Sequence, residues 1–216
     1  MTIAKGSKSW ILSALISAIF FLILYVFFRA QTIGFVLFII SIILFLFTGF
    51  LLIFFRAPER NIGKGIVACA DGKIREILNL KDEDVGDCTR ISTFMNVHNV
   101  HVNRMPIEGT VKNIIHIKGA HLPAFKKDSD KNERVITTID TKIGTIKIIQ
   151  IAGTFARRIV PYIKEGDKLK KGERIGMIRL GSRVDVYLPS KKIKKIYVRV
   201  GDIVIAGEDT LAEVNA

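Results

Sequence analysis

The chain has 216 residues, with 33 Lys plus Arg against 20 Asp plus Glu, a formal charge of +13 and 49% hydrophobic residues. So large an apolar share excludes a disordered, highly charged chain, and only two cysteines exclude a disulfide-built scaffold. The apolar residues are unevenly placed, and their placement organises everything that follows.

Residues 1–56 hold 11 of the 14 Phe and no Asp or Glu. Trp10–Phe28 is 19 residues without a charge and Ile33–Phe55 another 23. As helices these would span about 28 and 34 Å, close to the ~30 Å hydrocarbon layer of a bilayer. A signal peptide would have a shorter apolar core and no second span behind it. Two transmembrane helices, about 10–28 and 33–55, are therefore expected, joined by the tight turn Arg29-Ala30-Gln31-Thr32. Lys5 and Lys8 before the hairpin, with Arg56 and Arg60 after it, outnumber Arg29 at the turn. That bias predicts a cell-membrane hairpin with both ends, and the following domain, on the cytoplasmic side.

Residues 57–216 are long enough for one soluble domain with its own core. Without Lys5, Lys8, Arg29 and Arg56 the basic count is 29 against 20 acids, a net +9. Such a balance suggests nucleic acid first. A linker of only a few residues around Ala57-Pro58-Glu59 makes anionic head groups the more economical partner, and no nucleic acid is expected. Cys69 and Cys88 show no metal-ligand spacing.

Beyond residue 60 the chain consists of short β-branched runs punctuated by glycine, among them "GTVKNIIHIKG", "GTIKIIQIAG" and "RVDVYLP". This pattern predicts a mainly β domain, a flattened sandwich or barrel. Residues 119–134, including His121, read as a long loop of the kind that forms lids. Two internal echoes stand out. "EGDKLKKGERIGMI" (165–178) parallels "VGDIVIAGEDTLAEV" (200–214), and "DGKIREI" parallels "EGTVKNI". Gly-Asp turns feeding short strands resemble the hammerhead repeats of lipoyl and biotinyl domains, although no modifiable lysine at a hairpin tip is evident.

Four segments carry candidate chemistry. "VHNVHVNRMP" holds His98, His101 and Arg104; the pair His98/His101 lacks an obvious third metal ligand, and no metal is expected. His116 lies in an alternating strand pattern. Asp71 in "CADGK" suits a turn, where Asp caps nearby amides. "IRLGSRVDVYLP" places Gly181-Ser182 between two strand-like runs, either as a simple bend or as a reactive peptide bond.

Taken together, "ADGK" at 70–73, "VHVNRMPIEG" at 100–109, "NER" at 132–134, "QIAGTFARRIV" at 150–160 and "GDKLKKGERIGMIRLGSRVDVYLP" at 166–189 resemble the phosphatidylserine decarboxylases, especially their short membrane-anchored form. The segments occur in family order and cover nearly all of 63–210. The resemblance implies a proenzyme that cuts itself at Gly181-Ser182 into a β chain, 1–181, and an α chain, 182–216. The Ser182 hydroxyl attacks the Gly181 carbonyl to give an ester. β-Elimination and hydrolysis then convert Ser182 to a pyruvoyl group, the only cofactor implied. Its carbonyl takes up the lipid's serine amine as a Schiff base and accepts the electrons left as CO₂ departs.

The resemblance further implies that Asp71 and His101 do acid-base work with Ser182, and that Arg104 and Arg183 are substrate-binding candidates. Arg104 stands where longer family members carry a second histidine. His101 therefore either serves both cleavage and decarboxylation or shares them with His98. An ether-lipid substrate, archaetidylserine, would present the same head-group chemistry, and the sequence leaves the two lipids open, as it leaves open a homo-oligomer. Two other readings are a non-enzymatic membrane adaptor with a lipoyl-like domain and an uncleaved lipid-binding homologue.

Overall fold

The computed structural model describes residues 2–119, 132–153, 158–179 and 182–215. The expected lid therefore falls mostly outside the described residues, as do Gly181 and His121. The chain divides into two compact units, Met1–Pro58 and Glu59–Ala216.

The first unit is a helical hairpin, α1 (Lys8–Phe28) and α2 (Thr32–Phe54), with its ends tied by the short pair β1 (Thr2–Ile3) and β2 (Arg56–Ala57). Both helices are long and apolar enough to cross a membrane. Their packing inverts that of a water-soluble hairpin. Ala14, Ala18, Ser41 and Thr48 are buried between the helices, whereas Phe20, Phe27, Phe35 and Leu46 point outward. Small residues permit close approach, and the Ser41 hydroxyl donates to the Ala18 carbonyl at 3.0 Å. Polar groups inside and large apolar groups outside suit a lipid environment and fit a membrane anchor.

The second unit is almost entirely β. An eight-stranded antiparallel sheet runs in the order β11 (Lys168–Leu169), β7 (Gly109–Ile117), β8 (Arg134–Thr141), β9 (Gly144–Ala152), β13 (Ser182–Pro189), β5 (Gly86–Met95), β4 (Gly72–Asp82), β15 (Ile203–Val204). Two three-stranded sheets accompany it: β10 (Ile159–Pro161), β12 (Arg174–Ile178), β6 (Val102–Arg104), and β14 (Ile193–Ile196), β16 (Thr210–Val214), β3 (Ile66–Val67). Period-two alternation explains β13. Val184, Val186 and Leu188 enter the core, and Ser182 shares their parity, while Arg183, Asp185 and Tyr187 take the other face.

The echoes seen in the sequence are echoes in hydrogen bonding. The Gly166 amide donates to the Val111 carbonyl and the Val111 amide to the Asp167 carbonyl; Gly201, Ile74 and Asp202 repeat this arrangement. The Gly172 amide donates to Met105, as Gly207 does to Ala68. Lys168 pairs with Thr110 and Leu169 with Gly109, just as Ile203 pairs with Lys73 and Val204 with Gly72. Even the register shifts coincide, at Val111/Asn113 in β7 and Ile74/Glu76 in β4. Gly172 and Gly207 both have φ of 81°, a conformation that favours glycine in either copy. Each copy ends a strand at the same kind of turn, and equivalent positions can therefore be compared directly.

Candidate active site

Ser182 opens β13 at the centre of the large sheet, paired with Met95 on β5 and Ala152 on β9. It is fully buried. Its hydroxyl donates to the Met95 sulfur at 3.3 Å, a weak acceptor. The Asn103 side-chain amide donates to the same sulfur at 3.6 Å, and its carbonyl oxygen accepts from the Gln150 amide at 2.7 Å. Asn103 and Gln150 are also buried. A serine, a thioether and two amides are thus gathered from β13, β5, β6 and β9 away from solvent.

His101 joins this region through the backbone. Its carbonyl accepts from the Ile178 amide at 3.2 Å, continuing the pairing of β6 with the strand that leads toward Ser182. The His101 ring is completely buried, and Nδ1 lies 2.9 Å from the Asn99 carbonyl. That contact suits an Nδ1–H donor and leaves Nε2 as the basic nitrogen. His98 differs sharply: it is exposed in the turn closed by Asn96 and Asn99, where the Asn99 amide donates to the Asn96 carbonyl at 2.9 Å.

Asp71 immediately precedes β4 and is buried. Gly72 next to it lies against the Phe94 carbonyl so closely that a Cβ would collide with it. One carboxylate oxygen of Asp71 accepts from the Ala206 amide and the other from the Arg60 guanidinium, each at 2.8 Å. Its repeat equivalent, Glu108, is instead exposed and pairs with Lys142 at 2.8 Å. The shared turn therefore does not demand a buried acid.

Arg104 is buried and donates to the Gly172 carbonyl at 2.7 Å. Burial lowers its pKa from the ordinary value, with Arg174 and Arg60 acting in the same direction. Arg183 is held by Asp185 at 2.8 Å; burial raises the pKa of that carboxyl against the pull of Arg183. His116 sits on β7 with Nε2 at 2.8 Å from Glu133, as its strand pattern leads one to expect. Burial pushes the Cys69 thiol up to about 12, so it remains protonated and does not compete as a nucleophile.

Thus Ser182, His101 and Asp71 are all buried in the β unit. Among the described residues the Ser182 hydroxyl bonds to Met95 rather than to either of the other two. Asn103, Gln150 and Met95 were not singled out from the sequence. The available signal was Gln150, one polar residue inside the isoleucine-rich run of β9.

A sequence model of the phosphatidylserine decarboxylase family matches residues 47–212. A phosphatidylserine decarboxylase proenzyme of Streptomyces avermitilis is 43% identical over 206 residues, covering 95% of this chain and 90% of the relative. A protein of Methanococcoides burtonii named "Putative archaetidylserine decarboxylase proenzyme" is 44% identical over 214 residues, covering 98% and 96%. A Methanosarcina barkeri protein of the same name is 40% identical over 216 residues, covering 99% of both. With its membrane-type hairpin, its β unit and a buried serine at the head of a central strand, this chain belongs to the phosphatidylserine decarboxylase family, a family of carboxy-lyases in phospholipid biosynthesis.

Proposed function

We propose that the chain is a self-processing, pyruvoyl-dependent decarboxylase that converts phosphatidylserine, or its ether-lipid counterpart archaetidylserine, into the ethanolamine lipid. The observation that carries this reading is Ser182, fully buried at the start of β13 with its hydroxyl on a sulfur. A serine kept from water by packing and bonded only weakly is free to react with its own peptide link. Attack of Oγ on the Gly181 carbonyl forms the C–O bond as the C–N bond breaks, and the released amine takes the proton. Loss of the ester by elimination and addition of water then release ammonia and leave a keto group at residue 182.

The site fits that group. Elimination carries the hydroxyl oxygen away with the Gly181 carboxylate, leaving a methyl at Cβ and a keto oxygen from water at Cα. This forfeits a single weak bond to sulfur, and the Asn103 amide on the same sulfur is a donor suited to a carbonyl oxygen. Once formed, the pyruvoyl group supplies an electron sink for the carbanion left when CO₂ departs. The remaining roles belong to side chains. His101, its Nδ1 side set by the Asn99 carbonyl, moves the proton to the carbanion. Asp71, held between Arg60 and the Ala206 amide, assists the cleavage step, with His98 the fallback for His101. Arg104 is assigned to the lipid phosphoryl group, and Arg183 to its ion pair with Asp185. We further read the turn-and-strand repeats as lipoyl-type hammerheads, supported by their matched hydrogen bonds. The hairpin is taken to hold the β unit at the cytoplasmic face, as the lysine and arginine bias suggests.

The test is an intact-mass measurement combined with CO₂ release. The native chain should appear as two fragments, 1–181 and 182–216, the smaller with a blocked N-terminus. Ser182→Ala should remain one chain and release no CO₂. Activity in uncleaved Ser182→Ala protein overturns the mechanism.

A further inference from the structure

An open cavity of about 720 Å³ lies between Glu59–Ile62 and Lys168–Arg174. Six cations line it, Arg60, Arg104, Lys168, Lys170, Lys171 and Arg174, against the acids Glu59 and Glu173. Several are already engaged: Arg60 with Asp71 and Glu208, Arg174 with Glu59 at 2.7 Å, and Lys171 with the Gly63 and Gly65 carbonyls. The Lys168 and Lys170 ammonium groups have no hydrogen bond or ion pair among the described residues.

The internal repeat shows that these lysines are not needed for the turn. Lys168, Lys170 and Lys171 occupy the positions of Ile203, Ile205 and Ala206 in the other copy, which makes the same glycine turn and the same strand pairing. One copy of the turn is basic and its twin apolar, so the charge answers to something outside the fold.

We propose that the Lys168 and Lys170 rim of this cavity binds the phosphoryl group of a second, non-reacting anionic membrane phospholipid, leaving Arg104 to the reacting lipid. The lipid source is favoured by chain length. Glu59 follows Phe54, the last residue of α2, by five residues, a tether of about 18 Å at full extension. Cavity size agrees, because a bare phosphate is too small to meet cations spread around 720 Å³. A head group with its glycerol fills more of that space and brings its phosphoryl oxygens to Lys168 and Lys170.

The experiment is residue-resolved lysine acetylation, read by mass spectrometry, on the full chain in nanodiscs. Discs of phosphatidylcholine alone are compared with discs that also contain phosphatidylglycerol, which lacks an amine and is no substrate. Lys168 and Lys170 should be acetylated about tenfold more slowly in the anionic discs. Lys81 and Lys192, exposed elsewhere, should change little. Inorganic phosphate added to the neutral discs should give no such protection. Equal slowing at every lysine, no slowing at all, or protection by inorganic phosphate would each overturn the proposal. The readout needs no turnover, and it therefore stands or falls independently of the decarboxylase reading.

Discussion

Ser182 and Met95 face each other across neighbouring strands, and the serine hydroxyl donates to the methionine sulfur at 3.3 Å. In the proposed mechanism that contact holds the nucleophile without deactivating it, because sulfur accepts weakly. Met95→Leu nearly conserves volume and should cost less than about 1.5 kcal/mol of stability. Losing a bond worth about 0.5 kcal/mol should change the cleavage rate only about twofold. Met95→Ala, which opens a cavity, should cost about 2–5 kcal/mol and slow processing markedly. Cleavage half-times by gel and denaturant midpoints check both, and a complete block in Met95→Leu would give the sulfur a chemical role.

The contrast in burial between His101 and His98 separates the roles proposed for them. His98→Ala, at an exposed turn, should leave cleavage and CO₂ release unchanged. His101→Ala should lower turnover by about 10²–10⁴-fold, the usual contribution of a positioned acid or base. Unchanged turnover in cleaved His101→Ala enzyme would transfer the role to His98.

The repeat provides a built-in control for Asp71. Asp71→Asn keeps an oxygen for the Ala206 amide but removes the charge facing Arg60. We expect the uncleaved 216-residue chain to accumulate. Glu108→Gln, at the equivalent turn, should process normally and lose at most about 1 kcal/mol with its exposed Lys142 pair. Equal processing in the two variants would show that Asp71 is only a turn residue.

An acid limb of stability should trace to Asp82. Burial opposes its ionisation, but the hydrogen bond and charge of Lys147, with the Asp84 and Val85 amides, hold its carboxyl below the usual 3.8. Because the folded pKa is depressed, this stabilisation is fully present above the unfolded value and is lost as pH falls through the folded one. Asp82→Asn should therefore flatten the dependence of Tm on pH below about 4. Identical pH profiles in the native chain and the variant would contradict the assignment.

The sequence by itself determined the apolar hairpin, the β character of the rest, the echoing Gly-Asp turns and the Gly-Ser pair at 181–182 between two strand-like runs. These are local properties: length without charge, period-two alternation, and residue types at fixed spacing. Tertiary structure alone decided what surrounds the serine. Alternation tells which residues share a face but not which strands become neighbours, so Gln150, Asn103 and Met95 could not be assembled from β9, β6 and β5 by inspection. Asp71 likewise reads as an ordinary turn aspartate until Ala206, 135 residues away, and Arg60 close its two oxygens. The basic turn at 168–171, matched to Ile203–Ala206 by the sequence echo, gained meaning only once folding set it beside Arg60, Arg104 and Glu59 around one cavity. A residue's chemistry is written in its side chain, but its partners are set by chain crossings that bring distant segments within hydrogen-bond reach.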